Sequence, residues 1–278
     1  MSGLASEVGV GWDLKGKVAL ITGASTGIGK ALALALAGRG VHLALGARGV
    51  GELEKVALEC RNLGVRAIAI GVDVAVPEQC KAFVEQALAE LGGVDIVVNN
   101  AGIGMWAQFK DVTDLCLFDH LMRVNYFGAV HVTHAALPSV IQRKGLLVAV
   151  SSLTGKTGVP TRSGYAASKH AMQGFFDSIR IELAPEGVDV LVVSPGFVAT
   201  DIRARGFAAD GKAHGESPRD EDHATMSVEE CVRIMMKAIE RREREVVMTA
   251  KAKLGMWLRL VAPKLVDNIA ARAVKSKD

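Results

Sequence analysis

Short β-branched and aliphatic runs recur along the chain, each followed by a longer stretch with helical spacing of apolar positions. The runs are KVALIT (17–22), VHLAL (41–45), RAIAIG (66–71), VDIVVNN (94–100), LLVAVSS (146–152) and VDVLVVSP (188–195). A strand wetted on one face alternates apolar and polar residues. These runs are apolar nearly throughout, which predicts strands covered on both faces, as in a parallel sheet. Stretches such as GIGKALALALAGRG and PEQCKAFVEQALAELGG supply covering helices, and EVVMT (245–249) predicts a seventh strand. The expected fold class is therefore α/β, a doubly wound parallel sheet of about seven strands with helices on both faces. No repeat, low-complexity tract or linker divides residues 1–278, so one domain is expected. Two segments depart from the pattern: a polar loop at 201–226, and a basic amphipathic extension at 250–278.

Composition narrows the class. With 278 residues and 50% hydrophobic content the chain can bury a full core. A net charge of +3 implies no general nucleic-acid partner. That charge is uneven: from Arg241 to Asp278 stand ten Lys/Arg against four Asp/Glu. Cys60, Cys80, Cys116 and Cys231 are scattered without a CxxC pair, which reads as reduced thiols in a cytoplasmic protein. His131 and His134 share helical spacing, but no further ligand is grouped with them, so no metal is expected. The N-terminus lacks the pattern of a secretory signal, and no apolar run approaches the ~20 residues needed to span a bilayer.

The first run leads directly into TGASTGIGK. Here Gly23 permits a tight turn, Gly27 lets backbone approach a pyrophosphate, and Gly29 lets helix and sheet pack closely. The free N–H groups and positive dipole end of the next helix favour an anion, a Rossmann-type arrangement. At the end of the second run, where an acid would bind ribose hydroxyls, stand Ala47 and Arg48; the first carboxylate is Glu52. A guanidinium suits a 2′-phosphate, so the expected cofactor is NADP(H).

Tyr165 and Lys169, in SGYAASKHAM, lie four residues apart and so share one helical face. A phenol ordinarily titrates near pH ~10, and a neighbouring ammonium favours its ionised form. The pair then suits acid/base chemistry.

These motifs, taken in order, closely resemble the short-chain dehydrogenase/reductase family over about residues 15–200. They are TGASTGIG, Asp73-Val74, NNAG (99–102), Asn125 in RVNYFG, SSLTG (151–155), YAASK (165–169) and PGFVAT (195–200). The resemblance implies a catalytic set of Asn125, Ser152, Tyr165 and Lys169. Ser152, thirteen residues before Tyr165, would bind the substrate oxygen, and Tyr165 would give or take its proton. Lys169 would lower the tyrosine pKa and bind the nicotinamide ribose, while Asn125 would hold a water of the proton relay. Cofactor contacts would come from Gly23, Ser25, Thr26, Gly27, Ile28, Gly29, Arg48, Asp73, Val74, Asn99, Ala101, Gly102, Tyr165, Lys169, Pro195, Gly196, Val198 and Thr200.

Leu153, Val159, Met105, Trp106 and Phe197 would give a mainly apolar substrate pocket. In the extension, Leu254, Trp257, Leu258, Val261, Leu265, Ile269 and Val274 lie among cations, with Pro263 expected to break or kink the helix. Such a segment can cover the pocket, cover a subunit interface or lie on an anionic membrane. The extension looks like the hydroxysteroid, retinol and lipid-carbonyl branch. The leading reading is an NADP(H)-dependent oxidoreductase acting on a small-molecule alcohol or carbonyl, apolar or lipid-like. It would be a homodimer or homotetramer in the cytoplasm, with membrane-peripheral attachment open. The alternative is a non-catalytic dinucleotide sensor or scaffold.

Overall fold

The computed structural model describes residues 11–200, 202, 205–215 and 225–274. Every apolar run forms a strand within a residue or two of its expected place. The strands are β1 (Val18–Thr22), β2 (His42–Ala47), β3 (Ala67–Gly71), β4 (Ile96–Asn99), β5 (Leu146–Val150), β6 (Asp189–Ser194) and β7 (Glu245–Val247). They form one seven-stranded sheet in the order β3-β2-β1-β4-β5-β6-β7, and each neighbouring pair is parallel.

Parallel neighbours need crossovers, and the intervening helices cover both faces. These are α1 (Gly27–Ala37), α2 (Val50–Asn62), α3 (Pro77–Leu91), α4 (Cys116–Met122), α5 (Gly128–Gln142), α6 (Ser163–Leu183) and α7 (Val228–Glu240). Alternate strand residues feed two cores. Ile21, Leu45, Ile96 and Val148 pack under Leu32, Leu36, Leu53, Met235 and Ile239 of α1, α2 and α7. Leu20, Val97, Leu147 and Val192 pack under Phe83, Val132, Met172 and Phe176 of α3, α5 and α6. This double burial is why the strands lack polar alternation.

Strand order reverses between β1 and β4. The chains leaving these two strands part, and a crevice opens beyond their C-terminal ends. A small polar lock fixes its floor. Thr22 Oγ1 accepts from the N–H groups of Asn100 (3.1 Å) and Ala101 (3.0 Å). Asn100 Nδ2 donates back to the carbonyls of Thr22 (2.9 Å) and Gly23 (3.0 Å).

The extension folds into α8 (Ala250–Val261) and α9 (Pro263–Val274). Ala262 interrupts them and Pro263 opens the second, where its missing N–H costs nothing. Among the described residues no helix is long and apolar enough to cross a membrane.

Candidate active site

At the C-terminal end of the sheet lies a cavity of about 470 Å³. The β5 exit brings Ser151 and Ser152 to its wall, and the first turns of α6 bring Tyr165 and Lys169. Ser152 caps a short 3₁₀ turn, its Oγ accepting from Thr154 N at 3.2 Å. The Lys169 ammonium donates to the Val150 carbonyl at 2.8 Å and lies 5.9 Å from the centre of the Tyr165 ring.

Asn125 sits in a π-helical turn (Arg123–Phe127) joining α4 to α5. Such turns carry one extra residue and often mark functional sites. Its carboxamide is fully buried and grips the backbone of Ile103: Oδ1 accepts from Ile103 N at 2.8 Å, and Nδ2 donates to Ile103 O at 3.0 Å. Nδ2 also donates to Ser168 Oγ at 2.9 Å, tying the turn to α6. Between Asn125 and Lys169 lies Gly102, where a Cβ would stand 3.2 Å from Asn125 Oδ1 and 3.6 Å from Lys169 Nζ.

Burial governs the charges here. It pulls the Lys169 ammonium down to about 8, since a buried cation loses its hydration. Burial also pushes the Tyr165 phenol above its ordinary value, opposed by the Arg162 guanidinium and by a hydrogen bond with Ser152. The resemblance had assigned the lowering of the phenol pKa to Lys169. Arg162, one helical turn before Tyr165, was not foreseen; its spacing was the available signal.

A second cavity, of about 650 Å³, follows the glycine turn. Gly23, Ser25, Thr26, Gly27, Ile28, Arg48, Asp73, Val74, Ala101, Gly102 and Thr200 line it. Gly23 (φ 65°) and Gly27 (φ 56°) occupy the left-handed region that side chains disfavour. The start of α1 has no side-chain cap and no acid in its first turn, so its positive end is open to an anion. This donor set fits a dinucleotide pyrophosphate. Gly29 lines neither cavity; a Cβ there would collide with the Gly23 carbonyl, so it serves the close turn itself. Arg48 stands on the rim beside Glu52, whose carboxylate is engaged by Lys55 at 2.6 Å. That hydrogen bond with Lys55 holds the Glu52 carboxyl below its usual range.

The two cavities share Ile28, Asn100, Gly102, Thr200 and Ile202 on their walls, so they adjoin. Pro195, Gly196 and Val198 lie on the first, with Leu153, Val159, Trp106 and Phe197. Besides Gly29 and Asn125, two expected residues line neither cavity. Asn99 points into the core and donates to Thr133 Oγ1 at 2.9 Å; its neighbour Asn100 lines the cavities instead. Met105 is fully buried in the cluster that packs Leu117 and Leu121 with Tyr165, behind the cavity wall. Of the expected substrate loop, Ile202, Arg205, Phe207, Ala213 and His214 line one cavity or the other. Residues 201, 203, 204 and 216–224 of that loop lie outside the described residues.

Residues 17–210 match the family model for short chain dehydrogenase. The chain belongs to the short-chain dehydrogenase/reductase family. It is 38% identical over 272 residues to a dehydrogenase/reductase SDR family protein 7-like from Drosophila melanogaster, covering 95% of this chain and 82% of that one. It is 36% identical over 254 residues to 11-beta-hydroxysteroid dehydrogenase-like 4A of Arabidopsis thaliana, covering 91% and 83%. Among solved structures it resembles an alcohol dehydrogenase from Thermococcus sibiricus complexed with 5-hydroxy-NADP. That likeness has a TM-score of 0.73 and 30% identity, over 83% of this chain and 94% of that one. A family protein from Burkholderia phymatum in complex with NAD shares the fold at TM-score 0.80 and 24% identity, over 91% and 96%. This short-chain dehydrogenase/reductase is thus an oxidoreductase of the nicotinamide-dinucleotide-binding kind.

The extension of this family member reaches the site. Ala270 of α9 lines the first cavity, and the Arg259 guanidinium of α8 donates to the Lys156 carbonyl, next to the cavity-lining Thr157.

The depressed ammonium of Lys169 has a sign that can be measured. Between about 8 and its ordinary value of 10.5 the unfolded chain holds the Lys169 proton and the folded chain does not. Stability from this group therefore rises with pH through that window. Comparing unfolding free energies of wild type and Lys169→Met from pH ~8 to ~10 should show the wild type gaining relative to the variant. A difference that is flat with pH contradicts a buried, depressed ammonium.

Proposed function

We propose that this chain interconverts a secondary alcohol and a carbonyl with NADP(H), on an apolar or lipid-like substrate. The observation that carries this reading is the convergence of Ser152, Tyr165 and Lys169 on one apolar-walled cavity adjoining the glycine cleft. When bound, the nicotinamide donates or accepts the hydride. Ser152 Oγ holds the substrate oxygen and stabilises its developing charge. Tyr165 hands that oxygen a proton during reduction and removes it during oxidation. Lys169 is placed to bind the nicotinamide ribose, and Asn125 orders the Ile103 backbone and α6 around a proton path.

Arg48, with Ala47 in place of an acid, supports NADP(H) over NAD(H). The carboxylate beside it, Glu52, is occupied by Lys55. The apolar walls, and a hydroxysteroid dehydrogenase-like relative, support a lipid-like substrate. Exposed Phe127 and Ile181, near the start of α5 and the end of α6, support a homo-oligomer. We place the enzyme in the cytoplasm with peripheral lipid contact. On α8 and α9, Leu254, Trp257, Leu260, Val261, Leu265 and Ile269 are exposed beside exposed Lys253, Arg259, Lys264 and Arg272. That mixture suits an anionic membrane surface.

Tyr165→Phe should lower turnover of a reactive carbonyl by about 10²–10⁴-fold while NADPH binding stays nearly unchanged. Substantial remaining turnover sinks the assignment, and no turnover of any carbonyl by the wild type would favour the sensor reading. Arg48→Ala should weaken NADPH by about tenfold or more, the loss of one charge-assisted contact, and leave NADH little changed. Equal effects on both cofactors would reject the NADP(H) preference. In cosedimentation, the full chain should bind phosphatidylserine vesicles more than neutral ones, and more than a chain ending at Ala250. Identical behaviour of the two chains removes the lipid contact.

A further inference from the structure

We propose that Arg162 is a positioning residue of the proton-transfer site: clamped on the Trp106 ring, its guanidinium holds a permanent positive charge against Tyr165 and favours its phenolate. Arg162 immediately precedes α6 and lies on the cavity wall with Ser152, Tyr165 and Lys169, only 9% exposed. Its guanidinium carbon lies 3.2 Å from the centre of the Trp106 ring and 5.5 Å from that of Tyr165. A cation over an indole face is held by the ring's quadrupole, so the stack fixes the charge in place.

The backbone on both sides is built to hold this clamp. Trp106 is pinned by its N–H to the Phe207 carbonyl at 2.8 Å. Ala107 N donates to the Thr161 carbonyl at 3.0 Å, joining the tryptophan segment to the residue before Arg162. Thr161 itself has φ 65°, an uncommon conformation for a β-branched residue that persists only where surrounding contacts enforce it. That turn leads Arg162 into the cavity wall.

Two cations therefore flank the phenol, and they differ in permanence. Lys169 is bonded to the Val150 carbonyl and, with its ammonium pulled down to about 8, gives up its charge as the pH rises. A guanidinium does not deprotonate in proteins. Above about pH 8 the lasting positive field on Tyr165 is that of Arg162, and it opposes the burial that pushes the phenol up. Among the described residues, the other ionisable groups around Tyr165 are engaged or unaltered by the test. His170 on α6 is turned to the Ala166 carbonyl, and Lys156, beyond the Ser152 turn, is paired with Glu245. On α4, Asp119 is paired with Arg123, and His120 meets Phe207 edge to face. His214, on the cavity wall, is common to all the variants compared.

The inference rests on the proposed role of Tyr165 for its consequence in turnover, but the coupling itself is measurable without turnover. The chain contains only two tyrosines, so in a Tyr126→Phe background the ultraviolet tyrosinate absorbance reports Tyr165 alone. Adding Arg162→Gln should raise the ionisation midpoint by about one pH unit or more, which is about tenfold less phenolate at a given pH below it. Arg162→Lys should stay nearer the parent than the glutamine variant does. In alcohol oxidation, the alkaline limb of the pH profile should move with the midpoint. Coincident midpoints for the parent and Arg162→Gln overturn the proposal. If Arg162→Gln does not fold, Trp106→Leu releases the clamp while keeping the charge; its midpoint should rise, and an unmoved one overturns the proposal. Turnover by Tyr165→Phe would reject the catalytic reading while leaving the titration result intact.

Discussion

The junction between β1 and β4 depends on hydrogen bonds made by two side chains. Thr22 and Asn100 close a reciprocal lock across the strand ends, and Asn100 holds the Gly23 carbonyl that starts the glycine turn. The same asparagine lines both cavities. Buried backbone amides at a diverging strand pair would otherwise lack partners, since no ladder continues there. Satisfying them with side chains makes the crevice floor rigid. The positive-φ glycines, the open end of α1 and the first turns of α6 are all arranged around that floor.

The second determinant is dehydration. Lys169 and Tyr165 are ionisable groups placed where ionisation is costly, and burial acts on them in opposite senses. It draws the ammonium towards neutrality and pushes the phenol away from ionisation. Neighbouring groups then decide the balance: the Val150 carbonyl holds the ammonium in place, while Ser152 and Arg162 favour the phenolate. Reactivity at such a site follows from the sum of these opposing effects and cannot be assigned to one pair of residues.

The sheet was legible because double burial writes continuous apolar runs, and Val18–Thr22 or Leu146–Val150 needed no further clue. The glycine turn was equally legible, as Gly23 and Gly27 are required by backbone geometry. Asn99 and Asn100 show where reading stopped. They are adjacent and identical in type, but strand parity turns Asn99 inward to Thr133 and leaves Asn100 at the crevice. Arg162 was hidden for a different reason. Its orientation depends on a positive-φ threonine and on a tryptophan more than fifty residues earlier, neither of which periodicity registers. The helices of the extension were visible in their amphipathic spacing, but their contact with the cavity through Ala270 arises only in the folded chain.

That contact divides the molecule by purpose. The match to the family model ends at residue 210, and the strand ends and α6 within it hold Ser152, Tyr165 and Lys169. Part of the enclosure over those groups comes from α9, well beyond that boundary. One wall of the enclosure is thus carried by a stretch of sequence apart from Ser152, Tyr165 and Lys169, and Arg259 ties that stretch to the Lys156 carbonyl. A lineage can redraw the roof, and with it the shape of what is admitted, while the machinery below stays untouched.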